Sequence, residues 1–84
     1  MWKEINRKNN NNFIKNKLIK KFEFKNFIEA FSFITKVAIV SETLNHHPTI
    51  INEYNRVEIQ LCTHDKNDTI TKKDYQLAEA IDKL

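Results

Sequence analysis

The complete absence of glycine limits the folds open to this chain more than any other property of its sequence. Glycine supplies the positive φ angles and the close backbone approaches that many binding loops require. Its absence excludes glycine-rich phosphate loops, dinucleotide-binding fingerprints and the nucleophile elbow of the α/β-hydrolases. Among other residues, asparagine and aspartate adopt left-handed conformations most readily. We expect Asn45 to end a helix in this way, and Asn67 or Asp68 to take any left-handed position of a later loop.

Length and composition predict one domain that spans residues 1–84. The chain is 40% hydrophobic and 30% charged, which fits a globular protein rather than a disordered one. Because so short a chain buries only a limited core, we expect it to associate with copies of itself, as a homodimer or a homotetramer.

The charge pattern argues against nucleic-acid and membrane partners. The net charge of +3 comes almost entirely from dispersed lysines, whereas nucleic-acid binding favours arginine clusters with interleaved aromatic residues. The longest apolar run, residues 37–40, is far too short to span a bilayer. One cysteine, Cys62, permits no intrachain disulfide, and the first residues lack the apolar stretch of a secretory signal. We therefore expect a cytoplasmic protein.

Two strands are predicted before the first helix. The first lies near residues 2–8, and the second ends at Phe24 after an imperfect alternation that includes Phe22. Between them, Asn9–Asn12 is a low-complexity run, and asparagine favours turns and is disfavoured in strands. We expect this run to form the loop that joins the two strands.

The clearest helix begins after Asn26, a good N-cap, and Glu29 three residues later resembles a capping box. Asn45 and Pro48 mark its end. Its apolar residues form two neighbouring stripes, so the apolar arc covers about half of the circumference. We expect one side to cover a sheet and the other to meet another helix, supplied by a second subunit. The first stripe contains Phe27, Phe31, Ile34 and Ala38, and the second contains Ala30, Phe33, Val37, Val40 and Leu44.

The remainder of the chain predicts two strands and a second helix. A strand over residues 49–54 and a turn at Asn55–Arg56 lead to a strand over residues 57–64, in which apolar and polar residues alternate. A one-sided strand of this kind is typical of an antiparallel sheet with one face covered. After a polar loop, Thr71 caps a helix that is expected to bury Leu77, Ala78, Ile81 and Leu84. The order β-β-α-β-β-α predicts an α+β fold of two layers, in which two helices cover one face of a four-stranded antiparallel sheet.

The placement of the histidines is the strongest indication of chemistry. The three histidines are His46 and His47, at the expected end of the first helix, and His64. The negative end of the helix dipole favours a protonated imidazole, and so does Glu42, four residues before His46. Such a group is suited to general acid catalysis near neutral pH. Alternatively, the pair merely caps the helix and Glu42 makes an ordinary surface contact.

His64 and Asp74 each have two interpretations as well. His64, at a strand end, suits a functional role, or it makes local hydrogen bonds near its neighbours Thr63 and Asp65. Asp74 fits a capping box with Thr71, yet it also lies one turn before the buried stripe of the last helix. An inward carboxylate needs a partner, and a histidine would suit.

A metal site is not expected from the spacing of ligand residues. Adjacent side chains such as His46 and His47 diverge on regular structure, and the chain has neither H-x-x-x-H nor C-x-x-C spacing. We expect no metal and no cofactor.

The anchors of this pattern, taken together, resemble the pterin-4a-carbinolamine dehydratases. The family pattern is an acidic residue, three residues, His-His-Pro, a short gap, an aromatic residue, nine residues, a histidine and a later aspartate. The likeness covers about three quarters of the chain, from Leu18 onward, and the family's frequent tryptophan after His-His-Pro is missing from Thr49-Ile50. The matching residues are Glu42, His46-His47-Pro48, Tyr54, His64 and Asp74.

The resemblance implies a dehydratase that removes water from a 4a-hydroxytetrahydropterin to give quinonoid dihydropterin, by acid/base chemistry without a metal or a cofactor. It implies that His46 and His64 act as general acids and that His47 chiefly binds the substrate. The implied catalytic residues are His46, His47, His64 and the supporting carboxylates Glu42 and Asp74. The implied substrate contacts are His47, Pro48, Thr63 and Asp65.

A non-catalytic role stays open beside this one. Relatives of this fold also act as protein-binding adaptors, and the outer stripe of the first helix offers a surface on which a partner could dock. In the family, sheet edges join to form dimers and helices pack to form larger assemblies.

Overall fold

The computed structural model describes residues 1–8 and 14–84, so the loop expected at Asn9–Asn12 lies outside the described residues. The described elements follow the predicted order and confirm the α+β fold. The strands are β1 (Lys3–Lys8), β2 (Ile14–Glu23), β3 (Thr49–Glu53) and β4 (Arg56–Leu61), and the helices are α1 (Phe27–Leu44) and α2 (Lys72–Asp82).

The four strands form one antiparallel sheet in the order β1-β2-β4-β3. The central strands β2 and β4 pair with Leu18 opposite Leu61 and Phe22 opposite Val57. β3 joins β4 as a hairpin, and β1 pairs with β2 at the other edge. Because facing residues of paired strands lie on the same side of a sheet, this register gathers the apolar residues of both central strands on one face.

α1 and α2 cover that apolar face and close the core. Fully burying a large aliphatic side chain contributes about 1.5–3 kcal/mol to the free energy of unfolding. The buried aliphatic residues of this core therefore dominate the stability of so small a domain. Leu84 was expected in the core but is 45% exposed, because it lies beyond the end of α2 at Asp82. The core consists of Leu18, Ala30, Val37, Val57, Ile59, Leu61, Leu77, Ala78 and Ile81.

α1 begins and ends where the sequence predicts. Asn26 Oδ1 accepts a hydrogen bond from the backbone N–H of Glu29 at 2.9 Å, and Asn45 closes the helix with a left-handed backbone at φ 51°. Glu29 Oε1 in turn accepts the backbone N–H of Lys25 at 3.1 Å. These contacts satisfy backbone groups that helix ends leave unpaired.

Neither helix in the described part of the chain has the length and apolar character that crossing a bilayer requires.

The two apolar stripes of α1 differ in burial. The stripe that contains Ala30 and Val37 is buried or half-buried except at Leu44, whereas Phe27 and Phe31 of the other stripe are about half exposed and its Ile34 packs against the core. The contact expected between this exposed side and a second subunit stays a prediction. We call this exposed band the outer face of α1, and it consists of Phe27, Ile28, Phe31, Ala38 and Ile39.

β4 is shorter than predicted and ends at Leu61 rather than at His64. Its pairing with β2 stops at Leu61, and beyond that point Thr63 forms an isolated bridge with Thr69. His64 therefore begins a 3₁₀ turn (His64–Lys66) instead of ending the strand. The alternating burial nevertheless continues to Thr63, which is buried.

Several residues other than glycine have a left-handed backbone in the described part of the chain. Asn67 and Asp68 have φ angles of 60° and 57°, which confirms the expectation for this loop. Tyr54 also has a positive φ, 51°, and the sequence does not predict it. The turn between β3 and β4 therefore lies at Tyr54-Asn55, one residue earlier than expected.

Candidate active site

Each of the three histidines is paired with one carboxylate. A carboxylate at one ring nitrogen orients an imidazole and fixes its tautomer. The three pairs have similar lengths and differ greatly in burial, so they have different physical roles. The pairs are His46 Nε2 with Asp74 Oδ1 at 2.5 Å, His47 Nε2 with Glu42 Oε1 at 2.5 Å, and His64 Nδ1 with Asp68 Oδ1 at 2.6 Å.

The pair of His46 and Asp74 is the buried one. The Asp74 side chain is fully buried, and the side chain of His46 is 11% exposed. The backbone N–H of His46 donates to the carbonyl of Ser41 at 3.0 Å, which holds the residue against the end of α1. The pairing confirms the expectation that the inward carboxylate of α2 has a histidine as its partner.

Both oxygens of Asp74 have partners, so the carboxylate is held from several directions. Oδ1 faces His46, while Oδ2 accepts the hydroxyl of Thr63 at 2.9 Å and the backbone N–H of Thr71, the N-cap of α2, at 2.8 Å. The hydroxyls of Thr63 and Thr71 are themselves 2.7 Å apart. Asp74 therefore caps α2 and supports His46 at once, so the two interpretations of this residue are both correct.

This geometry leaves one nitrogen of His46 for chemistry. The tautomer that suits this contact has its proton on Nε2, because a carboxylate oxygen accepts hydrogen bonds. Nδ1 is then the atom that can take a proton from a bound molecule or return one. The same logic, in which a buried carboxylate orients a histidine, operates in acid/base sites on many unrelated folds.

The pair of His47 and Glu42 lies on the surface, with side chains 58% and 78% exposed. Glu42 was expected to orient His46, and that prediction is wrong, because Glu42 contacts His47 instead. The i, i+4 rule holds only within a helix. Asn45 leaves the helical path with its left-handed backbone, so the residues after it no longer follow helical spacing.

The pair of His64 and Asp68 is also exposed, at 78% and 37% of the two side chains. The local partner of His64 is thus Asp68, rather than its neighbours Thr63 or Asp65. Asn67 and Asp68 are both left-handed and turn the loop back toward His64. The sequence predicted these backbone conformations but not the contact that they create.

Residues 62–64 separate two environments. Thr63 points into the buried network around Asp74, whereas Cys62 and His64 lie with Asp68 on the other side. The Cys62 sulfur, a His64 ring nitrogen and an Asp68 carboxylate oxygen all lie within 4.8 Å of one another. Burial raises the pKa of the Cys62 thiol, and Asp68 and Asp74 raise that pKa further.

Cys62, His64 and Asp68 are therefore residues of the described chain that could hold a metal ion. Neither Cys62 nor Asp68 is recognisable as a ligand in the sequence, because neither belongs to an established metal-binding motif. Cys62 could have been identified from the alternation of side chains along an extended chain, because this alternation places residues 62 and 64 on the same side.

A cavity of about 230 Å³ opens beside His64. Neither His46 nor His47 belongs to its lining, so this cavity does not unite the three histidines. Tyr54 lies in the turn at the far end of β3 from His47 and contributes no part of this lining. The lining includes Lys17, Thr49, Gln60, Cys62, His64 and Asp68.

The residues expected to contact a substrate have different surroundings. Thr63 is buried and its hydroxyl is bound within the Asp74 network, so its support of the site passes through Asp74. His47 and Asp65 are exposed, and Pro48 is half-buried.

Comparison with known proteins adds information on relatives of this chain. Residues 2–84 match the sequence profile of a family described as pterin 4 alpha carbinolamine dehydratase. A protein of Prochlorococcus marinus strain NATL2A, provisionally named pterin-4-alpha-carbinolamine dehydratase, is 61% identical over 72 residues, which cover 84% of this chain and 75% of that protein. A protein with the same provisional name from a second strain of Prochlorococcus marinus is 57% identical over 68 residues, 81% of this chain and 70% of that protein.

Two solved structures have a similar fold. The crystal structure of a transcriptional coactivator/pterin dehydratase from Brucella melitensis matches with a TM-score of 0.74 and 36% identity, over 79% of this chain and 69% of that chain. A pterin dehydratase-like protein described as a RuBisCO assembly factor in the alpha-carboxysome matches with a TM-score of 0.74 over 96% of this chain and 84% of that chain. Its identity is 22%, so this second likeness concerns the fold alone.

Proposed function

Because the chain belongs to the pterin 4 alpha carbinolamine dehydratase family, we propose that it removes water from a 4a-hydroxytetrahydropterin to give quinonoid dihydropterin. In this reaction the bond between C4a and the hydroxyl oxygen breaks, the hydroxyl leaves as water, and N5 loses its proton as the C4a–N5 double bond forms. No electron is transferred, so the chemistry requires only groups that deliver and accept protons.

The observation that carries this proposal is the 2.5 Å contact between His46 Nε2 and the buried Asp74 Oδ1. A histidine held in this way has a fixed tautomer and a fixed position, so it can meet the substrate without first reorganising. General acid/base groups of this kind typically accelerate a reaction by about 10²–10⁴-fold. We assign to His46 one of the two proton transfers of the dehydration.

We assign the second proton transfer to His64, which lines the 230 Å³ cavity and is largely exposed. Asp68 orients its ring from the loop side. His47, oriented by Glu42, is proposed to position the substrate, together with Pro48 and Asp65. Thr63 supports the site through Asp74.

Kinetics on a freshly generated 4a-hydroxytetrahydropterin test this proposal. The wild-type chain should accelerate the loss of water, and His46→Ala and His64→Ala should each lower the rate by about 10²–10⁴-fold. Lys36→Ala is the matched control, because Lys36 is exposed on α1 and has no proposed role. A wild-type rate equal to that of the uncatalysed reaction would contradict the proposal.

A second candidate function is that of a protein-binding adaptor, and the outer face of α1 favours it. Ile28 and Ile39 on this face are 76% and 63% exposed, which is a large apolar surface for a chain of this size. The Brucella melitensis relative is described as a transcriptional coactivator as well as a pterin dehydratase. The two functions are compatible, because no residue of the outer face takes part in the hydrogen bonds around Asp74.

Homodimer or homotetramer formation uses the same kind of surface and stays a prediction, as does a cytoplasmic location. Analytical ultracentrifugation of wild type, Phe31→Glu and the control Lys36→Glu tests the surface. Loss of assembly in Phe31→Glu alone would assign the outer face to contacts between copies. An assembly that survives in Phe31→Glu would leave this face for another partner or for none.

A further inference from the structure

We propose that Cys62, His64 and Asp68 bind a Zn²⁺ ion, and that zinc inhibits the dehydration by occupying His64. The first half of this proposal stands on the geometry of the three residues, and the second half rests on the proposed function. The sulfur, nitrogen and oxygen ligand atoms lie within 4.8 Å of one another, and His64 Nδ1 is 2.6 Å from Asp68 Oδ1.

The chemistry of the three groups suits zinc. Cysteine sulfur, histidine nitrogen and carboxylate oxygen are the ligands that Zn²⁺ takes in proteins, at about 2.3, 2.0–2.1 and 2.0–2.2 Å. A tetrahedral ion with these bonds holds its ligands about 3.3–3.8 Å apart. The 2.6 Å contact must therefore open by about 1 Å, and a ligand pair at the 4.8 Å limit would have to close by a similar amount. The side chain of His64 is 78% exposed, so its ring can rotate to do this.

The backbone brings these residues together before any ion binds. Cys62 and His64 flank Thr63 in an extended segment, so their side chains leave it on the same side. The bridge between Thr63 and Thr69 closes the loop, and left-handed Asn67 and Asp68 turn it back over His64. Because the loop is already closed, zinc binding orders little additional chain, and less free energy is lost on binding.

Charge and space also fit a zinc ion with one open position. A thiolate and a carboxylate together neutralise the charge of Zn²⁺, while the imidazole binds as the neutral ring. The adjoining cavity of about 230 Å³ leaves room for water as the fourth ligand. Lys17 also lines this cavity and opposes a cation, but its Nζ is bound to Gln60 Oε1 at 3.0 Å.

Zinc at this position removes an acid/base group from the reaction. A metal on one ring nitrogen leaves the other as the N–H of a neutral ring, so the imidazole can no longer take up and deliver a further proton. Zinc is expected to leave the buried pair of His46 and Asp74 intact, because neither residue belongs to the cluster. The inhibited protein is thus expected to resemble the His64→Ala variant in rate.

Equilibrium dialysis of the whole chain against ZnCl₂, followed by metal analysis, tests the site without any assay of activity. We expect one zinc per wild-type chain and an affinity lower by at least about tenfold in Cys62→Ser and in Asp68→Asn. His47→Ala is the matched control and should keep wild-type affinity, because His47 pairs with Glu42 elsewhere. Equal affinity in the wild type and in Cys62→Ser, or no retained zinc, would overturn the proposal.

Cobalt provides the spectroscopic check and zinc-dependent kinetics the functional one. Co²⁺ bound to wild type should show a thiolate-to-metal absorption band that is absent from Cys62→Ser.

Without zinc, Cys62→Ser should keep the wild-type dehydration rate, and micromolar zinc should slow the wild type alone. If the chain has no dehydratase activity, dialysis and cobalt spectra still decide the metal site, so the two proposals fail separately. Zinc that binds through Cys62 and leaves the rate unchanged would overturn the inhibition.

Discussion

The pair of His46 and Asp74 and the pair of His64 and Asp68 have nearly the same length, 2.5 and 2.6 Å, and opposite surroundings. In the first pair the carboxylate is fully buried and bound at both oxygens. In the second pair both side chains are accessible to water. Contact distance alone therefore does not decide what a histidine–carboxylate pair contributes, because burial determines the free energy lost when the pair is broken.

The two pairs are also proposed to have different roles in the site. The buried pair cannot reorganise without disturbing the cap of α2, so it supplies a histidine of fixed position. The exposed pair lies on a loop beside a cavity and can adjust to a ligand. This contrast should be measurable in reaction rate, in folding stability and in the reactivity of Cys62.

The largest effect is expected on the reaction rate. His46→Ala and His64→Ala should both lose about 10²–10⁴-fold in rate, but they should differ in chemical rescue. Added imidazole should restore part of the activity of His64→Ala, because that position is open to solvent. It should not rescue His46→Ala, whose position is enclosed. Rescue of both variants to the same extent would contradict the contrast between the pairs.

The next effect is on folding stability. Asp74→Asn should lower the free energy of unfolding by about 3 kcal/mol, because an amide cannot accept hydrogen bonds from His46, Thr63 and Thr71 together. Asp68→Asn is the matched variant and should change stability by no more than about 0.5 kcal/mol, because its pair is exposed and asparagine tolerates the left-handed backbone. Urea unfolding of the two variants measures this difference, and equal losses would refute it.

A smaller effect on stability should distinguish Thr63, which faces Asp74, from its neighbour Cys62, which faces the cavity. Thr63→Val keeps the shape of the side chain but removes the hydroxyl that donates to Asp74, and should destabilise the fold by about 1–2 kcal/mol. Cys62→Ser, one residue away, should change stability by no more than about 0.5 kcal/mol. Thermal unfolding of both variants tests this contrast, which is lost if Cys62→Ser is the more damaging change.

The smallest effect concerns the titration of Cys62. Burial, followed by Asp68 and Asp74, raises the pKa of this thiol in the folded chain. Native protein should therefore react with iodoacetamide more slowly than urea-unfolded protein at mildly alkaline pH, and the difference should close as pH rises through the folded pKa. By linkage, the stability associated with the neutral thiol is present below the unfolded pKa and is lost as pH rises through the folded pKa.

A variant identifies the source of this shift. Asp68→Asn removes one of the two carboxylates that raise the pKa of Cys62, so its native thiol should react faster than that of wild type at the same pH. An unchanged rate would mean that burial and Asp74, without Asp68, set the reactivity of Cys62.

Much of the fold could be predicted because its signals are local. Asn26 and Asn45 mark the ends of α1 through hydrogen bonds and a backbone conformation that depend on neighbouring residues. The alternation along β4 predicts which residues face the helices, and the buried Val57, Ile59 and Leu61 confirm it. The end of β4 could not be placed, because beyond Leu61 the chain leaves β2, although β2 continues to Ile14, and Thr63 bridges Thr69 of the following loop instead.

Of the three histidine–carboxylate pairings, the sequence predicted only the one that Asp74 makes. Asp74 was expected to meet a histidine, and it does, because a buried carboxylate requires a partner. Glu42 was matched to the wrong histidine, because one left-handed residue interrupts helical spacing. Asp68 was missed altogether, because its contact with His64 depends on two consecutive left-handed residues whose combined path cannot be read from sequence.

The alternation across residues 62–64 restricts how this protein can vary in evolution. Because successive side chains of an extended segment leave on opposite sides, inserting or deleting one residue between Leu61 and His64 would exchange the groups that face Asp74 and the cavity. Descendants can therefore alter this segment by substitution, residue for residue, but not by changing its length.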